Sequence, residues 1–329
     1  MQQKVMEEQI AELEKWLPEC LRIHKEVPLH QYTTLQTGGN ARYFVKVSNI
    51  EDFALVTSLA QQWNLPHWII GSGSNLLPSD KGVPGLVIFN ACSRIDLDND
   101  LYAETGCWFQ DLYLKSAQRG LAGLEFAVGI PGTLGGALVS NAGAYRANIA
   151  ERLAGIEIVE NGERRWVKPH YLQFGYRDSI LRRPNAPSIA LLAVRLRLEP
   201  GDSKRIYDLA REYQRQRISK QPPQASAGSF FKNVEDKAFA ETLDLLPEKL
   251  KEAGVVPAGF LIEHAGLKGA RCGRAIISKK HANFICNLGG ATATQIATLA
   301  NRAKTAVYEK YGVRLEEEVL YFGDWSDVN

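Results

Sequence analysis

A stretch of small residues rich in glycine, GLEFAVGIPGTLGGALVSNAGAY, most limits what this chain can fold into. It runs from Gly123 to Tyr145 and contains six of the chain's 28 glycines. Glycine lacks a Cβ and reaches positive φ, so such a stretch indicates backbone packed closely against another group. Pro131 and Gly132 predict a turn, and Gly135 and Gly136 leave room for a ligand or another chain segment. Taken alone, tight packing of a helix against a sheet is the more common reason for such a cluster.

A shorter loop of glycine and serine, GSGSN at Gly71–Asn75, follows a strand predicted at Pro66–Ile70. Small residues at a strand end can form a nest of backbone N–H groups for phosphate oxygens. The loop is not a dinucleotide-binding fingerprint, because Leu76 stands where the third glycine belongs, and the chain has no Gly-Lys pair for a Walker A loop. A plain hairpin turn is the alternative.

The chain has 329 residues, of which 45% are apolar and 23% are charged. This length and composition indicate a globular protein of two or three domains. A net charge of +2 favours no polyanionic partner, so no nucleic acid is expected. The opening MQQKVMEEQIAELEKW has no apolar core of a signal peptide, and no apolar run reaches bilayer length, so a cytoplasmic location without membrane insertion is expected. Five cysteines without a CxxC pair and six histidines without ligand spacing predict a reducing compartment and no metal site.

Hydrophobic periodicity predicts mixed helices and strands without a regular βαβ repeat, which favours α+β over a doubly wound sheet. Residues 1–26 are predicted as an amphipathic helical extension that serves packing, with Pro18 ending the helix. The turn cluster Glu199–Asp202 is the best domain boundary. Near the end, a long helix is predicted at Thr292–Tyr311 and a strand at Val313–Phe322.

Two polar clusters outside the periodic segments are candidates for chemistry. In FGYRDS, Arg177 could hold a carboxylate or phosphate through two parallel N–H donors, and a surface ion pair with Asp178 is the simpler interpretation. In GSFFKN, Ser229 is outside the GxSxG pattern of a hydrolase nucleophile. Its hydroxyl could donate a proton in a closed site or merely cap a turn.

Three consecutive acids, Glu316, Glu317 and Glu318, enter the predicted last strand. Alternation along a strand places Glu316 and Glu318 on one face and Glu317 on the other. Burial of a charged group is costly, so an inward-facing acid indicates a role. The alternative is an edge strand exposed to solvent, in which none of the three acids has a functional role.

Six motifs in order make the chain resemble the UDP-N-acetylenolpyruvoylglucosamine reductases, the flavoenzymes that complete UDP-N-acetylmuramate. The resemblance covers the chain from about Leu29 to Trp325. The motifs are GSGSNLL (Gly71–Leu77), GIPGTLGG with NAGAY (Gly129–Tyr145), FGYRDS (Phe174–Ser179), AGSFFKN (Ala227–Asn233), AGLKG (Ala265–Gly269) and the acids before the last strand.

This resemblance implies an α+β fold in which residues 27–200 form an FAD-binding part of the vanillyl-alcohol-oxidase (PCMH) type with two α+β subdomains. The helical extension 1–26 precedes it, and a C-terminal α+β substrate-binding domain, 201–329, follows it. The implied cofactors are FAD and NADPH, and the implied substrate is UDP-N-acetylglucosamine enolpyruvate. A monomer is expected.

The resemblance also implies the site residues. The catalytic residues would be Arg177, Ser229 and Glu318. The FAD-binding residues would be Gly71, Ser72, Gly73, Ser74, Asn75, Gly129, Ile130, Pro131, Gly135, Gly136, Asn141, Gly143, Ala144 and Tyr145. The residues that contact the UDP-sugar would be Tyr145, Arg217, Lys220, Gly228 and Asn233.

In the implied reaction, hydride passes from NADPH through the flavin to C3 of the enolpyruvyl group, and negative charge builds on the substrate carboxylate. Arg177 would neutralise that charge, and a protonated Glu318 would hydrogen-bond it. Ser229 would give a proton to C2, which a weak acid can do only against a strongly basic carbanion.

Several positions depart from the family pattern. Gln36 stands where the family has arginine, which weakens one expected flavin phosphate contact, and Arg146 replaces the glycine after NAGAY. Glu317 replaces the proline between the terminal acids, which leaves their register open. Further departures are Val234 and Arg274. The predicted strand at 188–198 runs directly into EPGD, so the chain resembles the branch without the inserted tyrosine-bearing loop.

Two other functions fit some of these residues. One is another flavoprotein of the same fold that oxidises a sugar or alcohol with oxygen; no histidine or cysteine in the glycine-rich stretches is available to tether a flavin, which counts against it. The other is a non-catalytic UDP-sugar-binding protein, which the joint presence of Arg177, Ser229 and Glu318 disfavours.

Overall fold

The computed structural model describes residues 2–98 and 100–326. The helices are α1 (Gln2–Trp16), α2 (Ile50–Gln62), α3 (Phe109–Gln118), α4 (Leu134–Val139), α5 (Ser203–Lys220), α6 (Lys237–Glu241), α7 (Glu248–Ala253), α8 (Ala258–His264) and α9 (Ala293–Tyr311). Short 3-10 turns occur at Leu29–Tyr32, Glu125–Ala127, Ala150–Arg152, Pro169–Leu172 and Ile180–Arg182. No helix within the described ranges is long and apolar enough to cross a membrane.

The strands are short and spread along the whole chain. They are β1 (His24–Pro28), β2 (Asn40–Val47), β3 (His67–Ile70), β4 (Leu76–Pro78), β5 (Val83–Asn90), β6 (Ile95–Asp96), β7 (Tyr102–Glu104), β8 (Leu121–Ala122), β9 (Gly143–Ala144), β10 (Ala147–Asn148), β11 (Leu153–Glu160), β12 (Glu163–Val167), β13 (Ile189–Leu196), β14 (Glu199–Pro200), β15 (Ala225–Ser226), β16 (Val234–Glu235), β17 (Val255–Val256), β18 (Arg271–Cys272), β19 (Ala275–Ile277), β20 (Ile285–Asn287) and β21 (Leu320–Phe322).

The chain divides into two compact units. The first unit consists of Met1–Val27, Ala41–Ser72 and Val83–Arg217, and the second of Pro28–Asn40, Gly73–Gly82 and Ile218–Asn329. These units differ from the predicted domains at residues 28–40, 73–82 and 201–217. The division into an FAD-binding domain, 27–200, and a substrate-binding domain, 201–329, stays a prediction.

The first unit contains two larger sheets, and one hydrophobic core includes residues of both. One sheet has the order β1-β2-β5-β3, with β2 and β3 both parallel to β5. The other has the order β12-β11-β13-β7-β6 and is antiparallel. Ile10 and Leu13 of α1 are buried in the core beside the first sheet, together with Phe53 of α2, so the N-terminal helix is a packing element as predicted.

The second unit has a separate core, in which α8 and α9 pack with the sheet β15-β20-β19-β18. Two inserted segments of the chain, 28–40 and 73–82, contribute Leu35 and Leu77 to this core. A parallel pair, β4 with β21, joins the second insertion to the end of the chain. The strand predicted at Val313–Phe322 is wrong for most of its length, because only Leu320–Phe322 forms a strand and Glu317 makes an isolated bridge to Phe231.

Asp80 anchors the insertion 73–82 to the first turn of α9. Its Oδ1 accepts a hydrogen bond from Ala293 N at 2.8 Å, and its Oδ2 accepts from Thr294 N at 2.8 Å and Thr294 Oγ1 at 2.7 Å. The first N–H groups of a helix have no partner inside the helix, so a carboxylate there stabilises it.

Asp80→Ala should therefore lower the free energy of unfolding by about 1 kcal/mol, the usual cost of losing a helix cap. Urea unfolding followed by circular dichroism measures the effect. Asp98→Ala is the matched control, because Asp98 only pairs with Arg119 on the surface and such pairs contribute little. Equal shifts of the two midpoints would contradict the anchoring role.

Candidate active site

The glycine-rich stretch contains a short helix, α4, that begins after Thr133 and uses two adjacent glycines differently. Gly135 N donates to Thr105 O at 2.7 Å, and a Cβ on Gly135 would lie 3.2 Å from the Thr105 side chain. Gly136 is exposed, and the nearest described atom to a Cβ there is Thr133 Oγ1 at 3.8 Å. Packing therefore accounts for Gly135, whereas the role of Gly136 in binding a ligand stays a prediction.

The two glycine-rich regions touch each other in the first unit. A Cβ on Gly71, just after β3, would lie only 2.2 Å from Thr133 Oγ1. Next to it, the hydroxyl of Ser72 is buried and has no hydrogen-bond partner among the described residues. The hairpin alternative for this loop is excluded, because β3 pairs with β5 and β4 pairs with β21.

The boundary between the units lies inside the loop, so Gly73, Ser74 and Asn75 belong to the second unit. Gly73 has a φ of 61°, and a Cβ on it would lie 2.1 Å from Tyr32 O. This glycine is therefore required by close backbone packing as well as by its positive φ.

Asn141 and Gly143 position the loop that carries Arg177. Asn141 Nδ2 donates to Gly175 O at 2.8 Å, and its Oδ1 accepts from Ala150 N at 3.2 Å. Arg177, which has a φ of 50°, donates from its guanidinium to Gly143 O. Asp178, its expected surface partner, accepts a hydrogen bond from Arg183.

Arg217, Tyr145 and Tyr213 form a compact cluster in the same unit. The ring of Tyr145 stacks on that of Tyr213 with centroids 3.7 Å apart, and its hydroxyl donates to Tyr213 O at 2.9 Å. The Arg217 guanidinium carbon lies 5.9 Å from the Tyr145 ring centroid. Gly129 leaves room for this arginine, since a Cβ there would lie 3.1 Å from Arg217 Cδ.

The electrostatics of this cluster favour an anionic ligand. Burial lowers the pKa of Arg217, and the charge of Arg177 lowers it further, while Tyr145 opposes the shift. Arg217 Nε is buried without a hydrogen-bond partner in the described part of the chain. A buried guanidinium with an unused donor is costly unless an anion completes it. Tyr213 was not predicted from the sequence; its spacing of four residues from Arg217 on α5 was the available signal.

Ser229 lies between a glycine with a positive φ and two buried aromatic residues in the second unit. Gly228 has a φ of 79°, and no described atom lies within 4 Å of a Cβ placed there. Phe230 and Phe231 are both 1% exposed and belong to the core of this unit. Phe230 N donates to Asn283 O at 2.7 Å, which fixes the backbone directly after Ser229.

The terminal acids have different surroundings. Glu316 is exposed and pairs with Lys232, whereas Glu317 pairs with Lys304 and accepts from the Tyr321 hydroxyl. Glu318 is partly buried, and its backbone N donates to Phe230 O at 2.8 Å. Glu318 therefore lies on the segment hydrogen-bonded to the one that carries Ser229.

The remaining predicted substrate residues of the second unit are Lys220 and Asn233. Lys220 is the last residue of α5 and is exposed; with burial as the larger cause, its charge helps to lower the pKa of His281. Asn233 Oδ1 accepts from Ala258 N at 3.3 Å at the start of α8. Across residues 2–98 and 100–326 no group of His, Cys, Asp and Glu side chains could hold a metal ion.

Comparison with known families defines the class of protein. A family model described as an FAD binding domain matches residues 41–167, and this confirms the predicted cofactor and FAD-binding fold. A second model, described as the C-terminal domain of UDP-N-acetylenolpyruvoylglucosamine reductase, matches residues 220–322. The chain is thus an FAD-dependent oxidoreductase.

Full-length relatives identify the family. A UDP-N-acetylenolpyruvoylglucosamine reductase of Symbiobacterium thermophilum is 38% identical over 307 residues, which cover 92% of each chain. One from Caldicellulosiruptor saccharolyticus is 37% identical over 310 residues, also with 92% of each chain covered. The crystal structure of the reductase (MurB) from Thermus caldophilus matches with a TM-score of 0.74 and 34% identity, over 92% of this chain and 99% of the other. The chain belongs to the UDP-N-acetylenolpyruvoylglucosamine reductase family, which confirms the resemblance.

We predict that Gly136→Val abolishes FAD retention while the flavin-free protein stays folded. The added Cβ would lie in ordinary contact with Thr133 Oγ1 at 3.8 Å, without overlap, and we expect the side chain to fill space that the ligand needs. Flavin content after gel filtration and the melting temperature of the flavin-free protein measure the two effects.

Gly135→Ala is the matched control, because its Cβ would press on Thr105 inside the protein. It should lower the melting temperature, which Gly136→Val should not. A fully flavinylated Gly136→Val protein would remove Gly136 from the cofactor site. Acid precipitation should release the flavin into the supernatant, since we expect non-covalent binding.

Proposed function

We propose that this chain reduces UDP-N-acetylglucosamine enolpyruvate to UDP-N-acetylmuramate with NADPH, using Arg177, Ser229 and Glu318 as catalytic residues. Within the second unit, one observation carries the assignment: the hydrogen bond from Glu318 N to Phe230 O, which brings the segment with the acid beside the segment with the serine. Family membership leaves no support for an oxidase or for a non-catalytic UDP-sugar-binding protein.

The residues of the first unit fit FAD. The buried hydroxyl of Ser72, which has no hydrogen-bond partner within residues 2–98 and 100–326, would donate to a phosphate oxygen. The exposed backbone at Gly136 would lie beside the ligand. Gly71, Gly129, Ile130 and Pro131 lie in the same unit and would line the cofactor. When bound, FAD supplies hydride chemistry.

The residues of this chain would manage the charge and the proton of the reaction. Arg177 is held by Gly143 O at its guanidinium and would neutralise charge that develops on the substrate carboxylate. Glu318, when protonated, would donate a hydrogen bond to the same charge. Ser229 Oγ would give its proton to the carbanion at C2 once hydride has reached C3, and the resulting alkoxide would regain a proton from water.

Arg217, Lys220, Tyr145, Gly228 and Asn233 are proposed to bind the UDP-sugar. Arg217 supports this most directly, because its buried Nε lacks a partner in the residues that the structure describes. In a branch without the tyrosine-bearing loop, these groups have to hold the substrate. A cytoplasmic monomer that binds no nucleic acid remains the expectation.

Ser229→Ala should leave flavin reduction by NADPH near its normal rate and slow product formation by at least about 100-fold, the lower range for a lost general acid. The serine would act only after hydride has left the flavin, so the two half-reactions separate its roles. Stopped-flow absorbance of each half-reaction measures them. Ser229→Cys should recover part of the rate, because a thiol still donates a proton. Equal slowing of both half-reactions would make Ser229 a structural residue.

Arg217→Ala and Lys220→Ala should each raise KM for the UDP-sugar much more than KM for NADPH, because each removes a cation proposed for the anionic substrate. Steady-state kinetics with each substrate varied in turn measures this. Arg211→Ala provides the control, since Arg211 is an exposed cation on the same helix. If the two KM values rise equally, or neither rises, the substrate-binding role is wrong.

A further inference from the structure

We propose that Asn75 is a positioning residue for Glu318, and that its side chain serves the proton-handling half of the site rather than the flavin. The inference rests on the proposed catalytic role of Glu318. Its basis is a contact in the second unit: Asn75 Nδ2 donates to Glu318 O at 2.9 Å, across 243 residues of chain. The sequence alone placed Asn75 with the FAD-binding residues because of its neighbours in GSGSN.

Asn75 is joined to the last segment by its backbone as well. Leu320 N donates to Asn75 O at 3.0 Å, and the parallel pairing of β4 with β21 begins directly afterwards, with Leu76 opposite Leu320. Asn75 therefore forms hydrogen bonds with both Glu318 and Leu320. A side chain and a main chain that bind two residues apart on one segment fix both its distance and its register.

Glu318 is also held by the segment of Ser229. Its N–H donates to Phe230 O at 2.8 Å, and Lys232 N donates to Glu316 O at 2.8 Å. The backbone of Glu318 is thus hydrogen-bonded through its carbonyl to Asn75 and through its N–H to the Phe230 segment. Loss of either hydrogen bond would let Glu318 shift relative to Ser229.

Glu317, directly before Glu318, is held by two side-chain contacts. Its Oε1 lies 3.0 Å from Lys304 Nζ, and the Tyr321 hydroxyl donates to the same oxygen at 3.0 Å. The Glu317 that replaces the family's proline therefore adds contacts that a proline side chain cannot make.

Asparagine suits this role because its side chain places an N–H donor 2.9 Å from the carbonyl oxygen of Glu318. In Asn75→Asp the shape is kept, but an oxygen replaces the N–H donor and faces the carbonyl of Glu318. That repulsion should displace the Glu318 backbone, and a displacement of about 1 Å in a catalytic group can cost on the order of 100-fold in rate.

The test separates the half-reactions of the flavin-loaded enzyme. Asn75→Asp should slow oxidation of the reduced flavin by UDP-N-acetylglucosamine enolpyruvate by about 10- to 100-fold. Flavin content and reduction by NADPH should stay within about twofold of the unchanged protein. Thr242→Val is the control: it removes another side-chain hydrogen bond to a backbone carbonyl of the second unit, from Thr242 Oγ1 to Phe239 O, and should change neither half-reaction appreciably.

A double-mutant cycle shows whether Asn75 acts through Glu318. In the Glu318→Gln background, Asn75→Asp should cause no further slowing, because the side chain to be positioned has already been replaced. Asn75→Ser, which shortens the donor without introducing repulsion, gives the same comparison if Asn75→Asp does not fold. Independent, additive losses would overturn the inference.

The remaining outcomes are also decisive. Loss of flavin, or equal slowing of NADPH oxidation, would make Asn75 a cofactor ligand and overturn the positioning role. A slow Glu318→Gln with a normal Asn75→Asp would overturn the inference alone. A normal Glu318→Gln would refute the catalytic role of Glu318 in the proposed function, and the positioning role would fall with it.

Discussion

The close approach of Gly71 to Thr133 holds together the part of the first unit that fits the flavin. A side chain on Gly71 would overlap the Thr133 hydroxyl, so the end of β3 and the start of α4 meet only because Gly71 has none. From this contact follow the burial of the Ser72 hydroxyl on one side and the exposed backbone of Gly136 on the other. The Ser72 hydroxyl has no acceptor among the residues that the structure describes, and such a donor beside exposed backbone suits a phosphate-bearing cofactor such as FAD.

Charge in both units is placed by backbone contacts rather than by opposite charges alone. In the first unit, Asn141 fixes Gly175 and Gly143 accepts from Arg177, so the arginine is oriented by carbonyl groups. A carbonyl acceptor carries no formal charge, so this hydrogen bond orients the arginine without neutralising it. In the second unit, Phe230 and Asn75 hold the backbone of Glu318 by hydrogen bonds.

Part of the fold could be predicted from the sequence, because several strands and helices carry clear periodicity; β3, β13 and α9 lie close to their predicted positions. The family and its cofactor also followed from six short motifs. The dual use of Gly135 and Gly136 could not be predicted, since packing against Thr105 depends on tertiary contacts. Neither could the bond from Asn75 to Glu318, because 243 residues separate the two in the chain. The last strand was predicted too long, because alternation of apolar and polar residues does not show at which residue hydrogen bonding to the neighbouring strand begins.

In this protein, electrons from NADPH should pass to an enolpyruvyl sugar, and not to oxygen. An anaerobic absorbance titration of the purified yellow protein tests it most directly. Addition of NADPH should bleach the flavin, and subsequent UDP-N-acetylglucosamine enolpyruvate should restore the oxidised spectrum with formation of UDP-N-acetylmuramate. A flavin that stays reduced with the sugar nucleotide and recovers only when oxygen enters would contradict the account.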